Sequence, residues 1–217
     1  MDPTAIGIQT RNLLVENLPE LMPGNAFGNP RGDMQVAQAL PERADLVRLG
    51  NSWVLRTSAV ACVTALPTTA AAAYLWNGEP PTGKSYVIDD IGWLCTTSAG
   101  AASMFALLAM LNILPLTSAP STADTPVISS LNGRKYPGRA GMGHAATVVD
   151  DKWYPLGTSA NSNALTNTVG FALEVPIQGG IIVPPGYLLN LACLAANTTA
   201  AGQFIVTFHE VQTAVQL

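Results

Sequence analysis

The sequence predicts an all-β protein, a jelly-roll-like β-sandwich with an extended N-terminal arm. Three observations lead there. From Trp53 onward, short apolar runs rich in Val, Ile, Thr and aromatic residues are broken by Gly, Pro, Asn and Ser at short, regular intervals, the pattern of an all-β body. Residues 1 to 50 hold 10 of the charged residues, mixed with Pro3, Pro19, Pro23, Pro30 and Pro41, which reads as an extended arm. The whole chain of 217 residues has only 10 basic and 14 acidic side chains, 11% of its length, against roughly a quarter in ordinary soluble domains.

Within the arm, short helical pieces fit Thr10–Leu18 and Glu42–Leu49, where leucines recur at helical spacing, and Pro19 to Gly24 stops any continuous helix. Residues 51–217 form the body. Strands are expected at Ser52–Thr57, Ala59–Leu66, Ala71–Trp76, Ser85–Thr97, Ser103–Ile113, His144–Val149, Thr168–Val175, Gly180–Val183, Leu188–Ala195 and Gln203–Val211. Asn77–Gly83 and Val183–Tyr187 are read as hairpin-scale corners because Pro fixes φ and Gly accepts φ > 0. Gly157 to Asn167, rich in Ser, Asn and Thr, is read as a polar loop. The run Ser103–Ile113 is apolar on both alternating faces, so as a strand it must be covered on both sides; its Leu, Met and Ala content also suits a buried helix.

Charge and cysteine content exclude several classes. A net charge of -4 and ten scattered cations leave no basic face for phosphate neutralisation, so no nucleic acid is expected as a partner. The local cluster Arg134, Lys135 and Arg139 sits in a glycine-rich loop. Ala99–Leu116 is long enough to be tested as a membrane span. Its flanks are Asp89, Asp90 and Asp124 and it contains Asn112 and Pro115, so no membrane is expected. Cys62, Cys95 and Cys193 are odd in number and far apart; they read as buried free thiols in a reducing compartment, with no disulfide or metal framework. The start Met1-Asp2-Pro3 lacks the basic and apolar regions of a secretory signal.

No catalytic, cofactor or metal site is expected. The chain has two histidines, His144 and His209, and lacks G-x-S-x-G, H-E-x-x-H and a complete phosphate loop. Gly78 to Ser85 ends in Gly-Lys-Ser, but Pro80 and Pro81 remove N–H donors that a phosphate cradle needs. His209 and Glu210 are strand neighbours and face opposite sides, so the set His144, His209 and Glu210 cannot converge on one metal without a bulge. Asp89-Asp90 and Asp150-Asp151 read as turn acids at strand ends, and Arg31-Gly32-Asp33 as a β-turn. Trp53, Trp76, Trp93 and Trp153 read as core or interface residues.

Three C-terminal stretches carry a resemblance: Phe171-Ala172-Leu173-Glu174-Val175, then Gly180 to Leu191 with its Ile182-Val183-Pro184-Pro185-Gly186-Tyr187 turn, and Gln203 to Val211 ending in Phe208-His209-Glu210. They resemble tailed-bacteriophage virion proteins of jelly-roll fold, although Pro-Gly turns between apolar strands also occur in tumour-necrosis-factor-like and complement-like trimers. The resemblance implies a non-enzymatic, homotrimeric capsid decoration or cement protein. Such a chain is assembled in the host bacterial cytoplasm and partners its own copies and the major capsid protein. Arm contacts are then expected from Leu13, Leu14, Leu18, Leu21, Met22 and Phe27. A subunit interface is expected at Phe105, Leu107, Leu108 and Leu111. The alternative is a trimeric tail-fibre module recognising host glycans through tryptophans and the loop Ser159–Asn163. A cupin-like metal enzyme would rest only on the two histidines and scattered acids.

Overall fold

The computed structural model describes residues 42–97, 103–112, 114–118, 120, 129–130, 133, 136–147, 152–161, 172–196 and 198–212. Residues 1–41 of the arm expected over 1–50, including the expected helix at Thr10–Leu18, lie outside the described residues. The described chain begins with one helix, α1 (Glu42–Leu49), at the position read from its leucines. Gly50, with φ +78°, ends it, its N–H donating to the Val47 carbonyl at 3.0 Å.

Eleven strands follow: β1 (Ser52–Arg56), β2 (Val60–Ala61), β3 (Ala70–Asn77), β4 (Lys84–Thr97), β5 (Ser103–Leu111), β6 (Ser129–Ser130), β7 (Ala140–Thr147), β8 (Tyr154–Asn161), β9 (Ala172–Val183), β10 (Leu188–Ala195) and β11 (Ala201–Gln212). They build two antiparallel sheets. One has the order β6-β1-β11-β4-β9, with β2 added on β11, and the other the order β7-β3-β10-β5-β8. Leaving out the short β2 and β6 and the edge strand β7, eight strands remain. Numbered along the chain, the first pairs with the eighth, the second with the seventh, the third with the sixth and the fourth with the fifth. This nested order is a long hairpin rolled on itself, the jelly roll expected from the sequence.

The facing sides of the sheets carry the core. Alternation places Phe204, Val206 and Phe208 of β11 inward, against Ile88, Ile91 and Trp93 of β4 and Leu107, Leu189 and Leu191 of the other sheet. Each such side chain, fully buried, contributes about 1.5–3 kcal/mol. The Trp93 and Phe105 rings lie 5.3 Å apart across the sheets, and Tyr86 and Phe208 lie 4.8 Å apart.

The strand expected at Ala59–Leu66 is reduced to Val60–Ala61 (β2), and four further expectations need correction. First, Tyr154–Asn161 is strand β8 rather than the start of a polar loop. It is an edge strand paired only with β5, with an irregularity opposite Leu107 and Leu108, so Pro155 and Gly157 are tolerated there. Second, β7 starts at Ala140, ahead of His144. Gly141 and Gly143 stand opposite Trp76 and Tyr74, and a Cβ at Gly141 would come within 3.2 Å of the Trp76 ring; the rings cover a backbone whose own propensity is weak. Third, the two strands expected at 168–175 and 180–183 are one, β9, in which Gln178 and Gly179 both have positive φ. This kink lies opposite the irregularity at Asp89 in β4. Fourth, the corners at 77–83 and 183–187 are not hairpins: each carries the chain from one sheet to the other.

The run at 103 is a strand, β5, not a helix. It sits between β10 and β8 and is largely buried on both faces, as its sequence requires.

Candidate functional site

The densest polar constellation closes one end of the sandwich. Continuing the inward face of β11 past Phe208 brings Glu210 to the mouth of the core, opposite Tyr86 of β4. Tyr136 donates to Glu210 Oε1 at 2.6 Å, and the Tyr136 and Tyr86 hydroxyls are hydrogen-bonded at 3.1 Å. Lys84 Nζ donates to Glu210 Oε2 at 2.8 Å, with the lysine side chain 48% and the glutamate 5% exposed. The Tyr136 ring meets Trp53 edge-on at 4.8 Å. Three residues on, the Arg139 N–H donates to Glu79 Oε1 at 3.2 Å, tying this segment to the β3–β4 corner.

Burial pushes the Tyr86 phenol well above its ordinary value, against the opposing Tyr136 hydrogen bond. Burial, then the neighbouring Tyr86 and Glu210, push Tyr136 higher still. Neutral phenols beside a carboxylate already held by Lys84 and Tyr136 offer neither a base nor a nucleophile at neutral pH. The constellation braces the end of the sandwich. Because both phenols keep their protons more tightly folded than unfolded, their stabilisation is complete below the ordinary value of 10.0 and is lost as pH rises above it. Denaturant midpoints should therefore begin to fall near pH 9, where the buried Cys95 and Cys193 thiols, also raised from their ordinary 9.0, would ionise in the unfolded chain, and fall more steeply above about 10 as the two phenols add to the loss. Tyrosinate absorbance from these two residues should appear together with unfolding; its appearance while the fold is intact would contradict the brace.

His209 and Glu210 do face opposite sides. On the outer face His209 Nδ1 lies 3.0 Å from Asp89 Oδ1 and 3.2 Å from Oδ2. His144 is on β7 in the other sheet, so the structure does not bring His144, His209 and Glu210 together. Among the described residues no group of three or more His, Cys, Asp or Glu could hold a metal. Asp89 and Asp90 lie inside the 14-residue β4, not at a strand end as expected; the bulge there turns Asp89 toward His209. Asp150, Asp151, Arg31, Gly32, Asp33, Arg134 and Lys135 lie outside the described residues.

On the same outer face, a depression of about 150 Å³ lies over Gly92, lined by Asp90, Leu94, Glu174, Ile205 and Thr207. Small-molecule sites usually occupy about 300–1,000 Å³, so this one is too small for a cofactor. The Gly-Lys-Ser segment is a turn into β4 in which Gly83 N–H donates to the Pro80 carbonyl at 2.7 Å and Lys84 is taken by Glu210. No helix follows it, so it is no phosphate loop.

The interface residues expected on β5 fall as follows. Phe105 and Leu107 belong to the core between the sheets, with Leu111 packed against it. Leu108 is buried on the sheet's other face. The chain itself covers Phe105 and Leu107, whereas Met104 at the start of β5 is 69% exposed. Leu114 and Ile182 are also at least half exposed. The outer face of this sheet holds a second apolar cluster, Tyr74 and Leu188 with Trp76 and Leu116, and a buried hydrogen bond from Asn190 Nδ2 to Asn112 Oδ1. Leu13, Leu14, Leu18, Leu21, Met22 and Phe27 lie outside the described residues.

Trp53 and Trp93 are buried, and Trp153 Nε1 donates to the Pro67 carbonyl at 2.8 Å. The three cysteines are free and buried, as expected. Unexpectedly, they sit together in the core: the Cys62 thiol, then burial, push the Cys193 thiol above its ordinary value, and Cys95 is an electrostatic neighbour of both.

Sequence reasoning missed Asn77, Tyr136 and this thiol cluster. Glu210 and Lys84 carried a readable signal. An acid two residues beyond Phe208 on an apolar strand face must find a cation or leave the core.

No family model matches the chain, and no curated protein matches it. Among solved structures, the chain is similar to one in the cryo-EM structure of Mud Crab Dicistrovirus, at 13% identity over 100% of this chain and 92% of that one, with a TM-score of 0.21. A likeness of that size does not establish a shared fold.

Proposed function

We propose that this chain is a structural component of a viral particle, and more narrowly a capsid decoration or cement protein of a tailed bacteriophage. It acts by adhesion: homotrimer contacts and the N-terminal segment hold it to the major capsid protein. The observation that carries the reading is the nested eight-strand order, a jelly roll, an architecture that recurs in viral capsid proteins, lectins and cupins. That step is analogy between folds, and the local chemistry narrows it. The cupin reading needs converging metal ligands, and His144 and His209 lie in different sheets. The glycan reading needs exposed aromatic platforms; Trp53 and Trp93 are buried, which leaves it only the half-buried Trp76 and Trp153 and the exposed Tyr154. What the described surface offers instead is apolar contact at Met104, Leu114 and Ile182 on a chain with few charges, which suits association with copies of itself and a capsid.

Light scattering of the purified chain at micromolar concentration is expected to give a mass near three chains. Co-sedimentation with capsids stripped of this protein is expected to deplete the full chain from the supernatant, whereas a chain lacking residues 1–45 stays behind. A full-length chain that ignores such capsids at any concentration up to tens of micromolar would overturn the decoration role. Saturable binding to host glycans would put the fibre-tip reading in its place.

A further inference from the structure

The strand pairing carries the chain from one sheet to the other at Cys62. Val60 and Ala61 pair with Gly202 and Ala201 of β11, and two residues later Val63 forms a parallel bridge with Leu194 of β10, in the opposite sheet. Backbone bonds fix the crossing. Cys62 N–H donates to the Ala200 carbonyl at 2.8 Å, Val63 N–H to the Cys193 carbonyl at 2.9 Å, and Ala195 N–H to the Val63 carbonyl at 2.9 Å.

One step before the Val63–Leu194 bridge on each strand stand Cys62 and Cys193, so the parallel register sets them side by side, both in the core. Paired strands run about 4.8 Å apart, inside the range of about 4.4–6.8 Å between the Cα atoms of disulfides. The neighbouring Cys62 thiol, then burial, push the Cys193 thiol above its ordinary value. Cys95, on β4, is turned to a different partner, donating to the Thr97 carbonyl at 3.3 Å.

We infer that Cys62 and Cys193 are a redox-responsive pair that closes to an intersheet disulfide when the protein meets a small disulfide oxidant such as oxidised glutathione. The reaction is thiol–disulfide exchange. The Cys62 thiolate attacks one sulfur of the oxidant and expels a glutathione thiolate. The Cys193 thiolate then attacks the Cys62 sulfur of the mixed disulfide and expels the second. The protein loses two electrons and two protons, and the oxidant leaves as two molecules of glutathione. Cys62 reacts first because it lies on a short segment beside β2, whereas Cys193 is in a strand paired on both sides. Both thiols are buried, so exchange waits for residues 60–63 to lift from β11 and β10 and is slow in the cold.

The test uses the full chain, purified reduced and then warmed with oxidised glutathione to a few degrees below its Tm. Intact mass is expected to fall by about 2 Da, the two hydrogens lost, with no glutathione retained. Peptide mapping should show Cys62 joined to Cys193 and Cys95 alone open to alkylation. Because the bridge closes a very long loop, Tm should rise by at least about 4 °C and return on reduction. In Cys193→Ala the link should vanish, with glutathione retained on Cys62. Amide exchange at Val63 and Ala195 reports whether the segment opened. If it opens and all three thiols stay alkylatable, or if Cys62 joins Cys95 or another chain, the inference fails.

Discussion

Gly202→Ala is expected to lower Tm by about 10 °C or more, or to leave the protein unfolded. Gly202 starts the regular part of β11, just past a register shift against β4. A Cβ there would sit 2.4 Å from Trp93 Cε2 and 2.5 Å from the Leu94 carbonyl oxygen. Neither can give way: Trp93 is fully buried against Phe105, and the carbonyl belongs to β4, which is paired on both sides. Opening the β4–β11 pair by the missing ångström would disturb the core on both sides, and we expect a loss of about 3–5 kcal/mol. Thermal unfolding followed by circular dichroism tests this directly. In the double variant with Trp93→Leu the second change should cost less than it does alone, because the smaller side chain vacates the space the methyl needs. A Gly202→Ala protein melting within about 2 °C of the parent would show that the strands part more easily than this packing allows.

Asn77→Ala is the second large loss, expected at about 2–4 kcal/mol. Asn77 ends β3 and is fully buried. Its Nδ2 donates to the Lys84 carbonyl at 2.9 Å and to the Val183 carbonyl at 2.8 Å, while Oδ1 accepts from the Glu79 N–H at 3.1 Å. Its backbone takes the Gly186 N–H at 2.7 Å and gives its own to the Tyr187 carbonyl at 3.0 Å. One amide thus binds both corners where the chain changes sheets. Alanine keeps the backbone bonds and orphans three polar groups, of which the Val183 carbonyl is buried. Asn77→Asp separates hydrogen bonding from volume. A carboxylate still accepts from Glu79 but faces the Lys84 and Val183 oxygens, so this variant should be less stable than Asn77→Ala at pH 7. Measured against the parent at each pH, it should recover as the carboxyl takes a proton. Equal stability of the two variants at pH 7 would mean that Nδ2 does not hold the corners.

The strands that the sequence revealed best are those whose side chains alone justify them. Leu188–Ala195 is apolar but for Asn190 because it is the central strand of its sheet, buried on both faces, and its limits match expectation. Helix α1 matches for a similar reason, since its leucine spacing and the following Gly50 are local signals. What failed was decided at a distance. The glycines of β7 are strand residues because Tyr74 and Trp76 cover them, and Pro155 survives in β8 because no described strand pairs on that strand's far side. Asn77 looked like one more turn residue, since its second corner lies more than a hundred positions away. The thiols looked unrelated for the same reason: only the crossing at Val63 makes Cys62 and Cys193 neighbours.

The nested pairing also fixes when this molecule can exist. Because β1 pairs with β11 and β3 with β10, the earliest strands to leave a ribosome wait for the latest. The innermost pair, β5 with β8, closes first, and every later pair closes over a longer loop. Such a chain has high contact order and folds slowly. Until Ala201–Gln212 is free, β4 stands without the strand that separates it from β1, its apolar edge open to other nascent chains. The sandwich thus closes as a single late event, once Ala201–Gln212 has emerged, and crowding of chains that still lack it is expected to lower the yield of native protein.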